Sequence, residues 1–188
     1  MALAPSAAHK MTADEFFALP EELPHAQLIN GELVVNSPAY KHQRIIAELI
    51  GLFRLHAESH PGCGVLGIEI DTPLDAHNVF KPDLWWVPDD RRLADWENRF
   101  TTPPSLVVEV RSPSTWRYDV GTKLRMYEAH GVAEVWLVDT VADVVLVHRR
   151  QAPESAHFDV ELEFSAGDTL STPLVEGWEI DLARWFGT

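Results

Sequence analysis

The chain has 188 residues, 46% of them hydrophobic, and a formal net charge of −14. That length allows a sizeable core in one domain, and the charge argues against a surface coated in basic residues for nucleic acid. The single cysteine, Cys63, excludes a disulfide framework and a cysteine-rich zinc site, and no apolar run reaches the ~20 residues of a membrane span.

Residues 1–10 read as a flexible tail with no signal-peptide pattern, which makes a cytoplasmic setting the expectation, and residues 11–188 read as a single domain. Thr12 to Glu15 fits a capping box that opens a short helix, stopped by Pro20. His25 to Asn36 is expected to be a hairpin turning on Asn30-Gly31. From Tyr40 to Ser59 the apolar spacing is helical, with His42, Ile45/Ile46, Leu49, Leu52/Phe53 and His56 along one side. After Pro61-Gly62 two strands are expected, Val65 to Ile70 and Val79 to Val87, joined by a loop that contains Pro73. Pro82 lacks a ladder donor and favours an edge or a strand start. A polar stretch, Arg91 to Pro104, precedes a strand over Leu106 to Val110. The helix that follows carries Trp116, Val120, Lys123 and Tyr127 at the spacing of one buried stripe. Strands over Val132–Val138, Val141–His148 and Phe158–Phe164 follow, and an aromatic-rich end, Leu174 to Phe186, docks back on the body.

Two residues break this pattern. Glu109 places a carboxylate inside an apolar strand, where ionised acids need a partner or a metal. Lys123 fills a slot where an apolar residue belongs. A strand with a buried acid that feeds a helix with an inward lysine has the appearance of a site. Each residue also has an ordinary reading. Asp83 can cap a turn, Glu109 can pair with Arg111, and Lys123 can pair with Asp119 four residues earlier. His42 can be a core histidine, and Glu32 a solvated acid after its turn.

An ordered set of pieces carries a resemblance. It comprises Leu28-Ile29-Asn30-Gly31-Glu32-Leu33, His42-Gln43, Pro82-Asp83, Val108-Glu109-Val110-Arg111-Ser112-Pro113-Ser114, Asp119, Lys123, Tyr127, and Gly131 through Asp139. The set resembles the PD-(D/E)xK nuclease superfamily and, more narrowly, the Uma-type restriction endonucleases, formerly a domain of unknown function. The resemblance implies an α/β (α+β) fold with a restriction-endonuclease-like core. In it a central mixed sheet is flanked by helices, with an N-terminal β-hairpin and extra C-terminal strands. It implies that Asp83 and Glu109 hold a metal ion, which hard oxygen ligands make Mg²⁺ or Mn²⁺. It also implies that Lys123 is the catalytic lysine, supported by Glu32, His42, Arg111 and Asp119. The superfamily pattern places lysine two residues after the acid. Here Arg111 stands in that slot, and it can clamp a phosphate but cannot serve as a base.

The implied activity is metal-dependent hydrolysis of DNA phosphodiester bonds. A homodimer is a separate expectation, from the two-fold symmetry of duplex cleavage and from the apolar hairpin and aromatic tail, with the hairpin or the C-terminal strands as interface. The alternative is an inactive nuclease-fold module for binding or dimerisation. Clustering of Arg91, Arg92, Arg111, Arg117 and Lys123 on one face favours the enzyme. If Lys123 is catalytic, its removal is expected to leave the fold nearly intact.

Overall fold

A computed structural model describes residues 9–20, 23, 25–94 and 97–186. Most of the expected N-terminal tail, residues 1–8, lies outside the described residues. Helix α1 (Ala13–Phe17) opens on the expected capping box, with Thr12 and Glu15 each bonding the other's backbone N–H. Strands β1 (Ala26–Ile29) and β2 (Glu32–Val35) form the hairpin. Asn30 and Gly31 have φ of 52° and 76°, and positive φ at both turn residues is what a type I′ turn requires.

Helix α2 spans Tyr40–Ser59 and buries His42, Ile45, Leu49 and Phe53. Each large apolar side chain on that face contributes ~1.5–3 kcal/mol by leaving water. Strand β3 (Val65–Gly67) is shorter than expected, because Glu69 at φ 47° turns the chain away. Gly67 also lets the Trp85 ring pack on the backbone, since an added Cβ would lie 2.2 Å from it.

The stretch read as a loop around Pro73 is instead strand β4 (Thr72–Asp75), paired with β5 (Asn78–Phe80). It is the edge of its sheet, where a proline costs least. The expected continuous strand Val79–Val87 is broken at Lys81–Asp83. There the chain leaves β5 and enters β6 (Leu84–Val87) of a different sheet. Strand β7 (Leu106–Val110) follows, then α3 (Trp116–Tyr118), a π-turn over Asp119–Lys123, and α4 (Leu124–Ala129). Strands β8 (Glu134–Asp139), β9 (Val144–Arg149) and β10 (Val160–Ser165) form a meander, and β11 (Thr169–Ser171), β12 (Glu179–Asp181) and α5 (Ala183–Phe186) end the described chain.

The main sheet has the order β10-β9-β8-β7-β6-β3 and is mixed, with β7 and β8 parallel. A parallel pair needs a crossover, and the α3–α4 segment supplies it. The second sheet has the order β2-β1-β5-β4. One face of the main sheet, with Val108, Val110, Trp136 and Val138, packs on α2 and the C-terminal Trp178, Ile180 and Trp185. Val107, Val135 and Leu137 point to the other face and meet Tyr127 of α4, Ile29 and Phe80. Glu109 shares the face of Val107 by the period of two.

Candidate active site

The break at Pro82 places Asp83 at the corner where the chain enters the main sheet. In the antiparallel register Leu84 lies opposite Val108, so the next step brings Asp83 beside Glu109. Asp83 is approached from the α2 side: its Oδ2 lies 3.0 Å from His42 Nε2 and accepts the Val110 N–H at 2.7 Å. Glu109 is approached from the crossover side. Its Oε1 accepts the Tyr127 hydroxyl at 2.6 Å and lies 2.6 Å from Lys123 Nζ. The same ammonium is 3.1 Å from Asp119 Oδ1. All these side chains are buried, and Lys123 is 1% exposed.

The π-turn explains why Asp119 joins the group. A regular helix through Trp116, Val120, Lys123 and Tyr127 would bury Val120. A π-turn holds one extra residue, so the inward position moves back by one. Asp119 is therefore buried and Val120 is 42% exposed, correcting the expected stripe. Asp119, Lys123 and Tyr127 then stand in one row facing Glu109. Of π-turns generally, many lie at functional sites.

Three carboxylates surround one ammonium, and the surplus negative charge draws protons. Burial pushes the Glu109 carboxyl up to about 8; the Lys123 charge offsets part of this, while Asp119 and Asp83 add to it. Burial also leads the rise at Asp119, again opposed by Lys123. Burial alone would discharge Lys123, but Glu109, Asp119 and Asp83 outweigh it and hold the ammonium protonated beyond the ordinary lysine range. Burial raises the Tyr127 phenol as well, so it stays a hydrogen-bond donor. Among the described residues the buried His42 Nδ1 atom has no hydrogen-bond partner, so Nε2, facing Asp83, is the ring atom that ties His42 to the site.

The remaining candidates are not brought together. Glu32 is exposed on β2 and makes no ion pair among the described residues. Arg111 is not poised over Glu109 as a clamp. Its Nη1 bonds both oxygens of Asp139 at 2.8 Å, and its guanidinium stands 5.5 Å from the Trp116 ring. Arg91 bonds Ser105 Oγ, at the opposite end of β7 from Glu109, and Arg92 pairs with Asp89. Arg117 turns to its neighbour Tyr118. The clustering on one face that would favour the enzyme is therefore not seen for these residues. In the sequence Tyr127 has a place in the buried stripe and in the resemblance, but no role at the site. Its spacing from Lys123 was the signal, but only the fold shows its hydroxyl on Glu109.

The donor set suits a hard divalent cation. Asp83 and Glu109 each have one oxygen fixed by a hydrogen bond, while the other accepts none among the described residues. The surplus carboxylate charge favours a cation there. No group of three His, Cys, Asp or Glu among the described residues is arranged to enclose an ion, and the Lys123 ammonium lies between Glu109 and Asp119.

The family Uma2, described as "Putative restriction endonuclease", matches residues 13–183. No curated protein matches the chain at a significant level. A crystal structure described as "a putative nuclease belonging to DUF820", from Anabaena variabilis ATCC 29413, superimposes with a TM-score of 0.77. It is 22% identical in sequence, and the match covers 94% of this chain and 97% of that one. At that identity the likeness extends to the fold.

Proposed function

The chain belongs to the Uma2 family of putative restriction endonucleases, and from this we propose that it is a metal-dependent endonuclease that hydrolyses DNA phosphodiester bonds. The observation that carries the reading is the lysine buried between Glu109 and Asp119, beside Asp83 on the neighbouring strand. A structural core has little use for so costly an arrangement.

In this reading Asp83 and Glu109 hold Mg²⁺ or Mn²⁺. Such an ion, when bound, polarises a phosphate oxygen and lowers the pKa of its water. His42 and Tyr127 fix the two carboxylates from opposite faces of the sheet. Lys123, held as an ammonium, stabilises negative charge developing on the phosphate and does not act as a base. Arg111, committed to Asp139, serves the strand end and not the phosphate. The active form is a homodimer, matching the two-fold symmetry of duplex DNA. Among the described residues no helix is long and apolar enough to cross a membrane. A cytoplasmic setting, with DNA as the substrate, belongs to the nuclease reading itself.

Titration with Mg²⁺ and Mn²⁺, followed by cleavage assays on mixed single- and double-stranded DNA, tests the proposal. Metal-dependent cutting that disappears in Asp83→Asn is the expected result. A chain inert with every divalent metal sinks it. That outcome would favour a binding or dimerisation module, a reading supported by the net charge of −14 and the scattered arginines.

A further inference from the structure

Next to Asp83 the surface opens into a recess lined by His25, Asn36, Glu69 and Lys81. Glu69 and Lys81 also line a cavity of about 490 Å³, whose walls include Phe16, Phe17 and Asn98. The two spaces thus share a wall, and the larger one has the size of a small-ligand site.

Its chemistry is mixed. The Phe16 and Phe17 rings meet edge-to-face at 5.5 Å, and the Arg99 guanidinium stands 4.5 Å from the Phe17 ring. Lys81 Nζ lies 3.3 Å from Asp71 Oδ1, and His25 Nδ1 lies 2.9 Å from Glu69 Oε1. The cavity wall itself carries Lys81 beside Glu69 and Asp71, among apolar residues and Asn98, so charge of both signs lines it, which suits an uncharged ligand with polar edges better than an ion. His25 and Glu69 both hold left-handed backbone, at φ 57° and 47°, although neither is glycine. Such conformations are uncommon and gather at ligand clamps and active sites. Here they join in one pair, between the cavity and Asp83.

We propose that this cavity is a nucleobase pocket, receiving one base of the strand whose phosphate lies at Asp83 and Glu109. The proposal rests on the nuclease reading above. Lys81 of the cavity wall is separated from Asp83 by at most about 7 Å of chain, so one edge of the cavity lies close to where the phosphate would sit. A chain of net charge −14 gains little from neutralising phosphates, so stacking on aromatic rings supplies a larger share of its hold on a strand.

The test uses the full chain at low ionic strength in EDTA, so that no strand is cut. A short single-stranded oligonucleotide carrying 2-aminopurine is compared with one of equal length lacking its bases. The expected result is roughly tenfold tighter binding of the base-containing strand, with quenching of the 2-aminopurine. Phe16→Ala removes that difference, and Phe16→Tyr, which keeps the ring, retains it. Equal binding of the two strands overturns the pocket, even if the chain cuts DNA when metal is added. A base preference in a chain that cuts nothing upholds the pocket while removing the nuclease reading. Binding of neither strand overturns the pocket, while the nuclease reading stands or falls on the cleavage assay with metal. Should Phe16→Ala fail to fold, the comparison of the two strands on the unaltered chain still decides.

Discussion

Lys123 has its ammonium within 3.1 Å of two buried carboxylates, so replacing it with alanine strands both. Breaking a buried pair from one side costs about 3–5 kcal/mol. The expectation that Lys123→Ala leaves the fold nearly intact is therefore replaced by its opposite: the variant melts well below the parent. If Asp83 and Glu109 hold a divalent cation, Mg²⁺ should raise the melting temperature of Lys123→Ala by more than it raises that of the parent, because the ion takes over the missing charge. Equal shifts would remove the metal from this place. Glu109 adds a pH dependence. Its folded value is pushed from 4.5 to about 8, so across that window the folded state keeps a proton that the unfolded state has released. Fewer protons bound in the unfolded state means that stability falls as pH rises through the window. Thermal unfolding in EDTA should show this fall, and Glu109→Gln should reduce it, leaving the smaller fall that the raised Asp119 contributes. Lys123 contributes no slope there, since its raised affinity withholds stability only above the ordinary lysine range.

At the scale of the element, the crossover helix decides which side chains the site receives. The π-turn over Asp119–Lys123 turns Asp119 inward and leaves Val120 in solvent. Gly121 lies inside that turn, and an added Cβ there would meet nothing within 4 Å. Its backbone is not left-handed, so alanine fits without strain. Gly121→Ala should stabilise the protein by about 0.5–1 kcal/mol, the ordinary cost of glycine within a helix, measurable by chemical denaturation. A loss of stability would mean that the turn needs glycine for a reason other than its backbone freedom. The break at Lys81–Asp83 acts in a similar way. By ending one sheet and starting another, it delivers Asp83 to Glu109 at the corner.

For the whole molecule, assembly is the open property that the surface narrows. The aromatic C-terminal segment is spent inside the protomer, with Trp178, Ile180 and Trp185 buried in the main core. That leaves the hairpin as the interface of the proposed homodimer. Strand β2 is a sheet edge and exposes Leu33 and Val35, the latter 56% exposed. An uncovered apolar edge is a ready surface for pairing. Sedimentation should show a dimer at micromolar concentration, and Val35→Lys should shift it to monomer without lowering the melting temperature. A parent chain that sediments as monomer throughout would remove the dimer.

Local pattern alone specified much of this protein. The capping box at Thr12, the Asn30-Gly31 turn, the span of α2 and the buried strand around Glu109 follow from chemistry that acts within a few residues. Glu109 and Lys123 stand out because charges at apolar positions are anomalies in any fold, whereas Asp83 is singled out only by the resemblance of its Pro-Asp element. What the tertiary structure decided lay beyond that range. Pairing partners sent β5 and β6 to different sheets and made β4 a strand. Competition among long-range partners took Arg111 to Asp139 and left Glu32 in solvent. One extra residue in a helical turn exchanged Val120 for Asp119, which regular periodicity cannot foresee. Burial turned a row of ordinary ionisable groups into one coupled centre, since the cost of removing charge from water depends on everything packed around it.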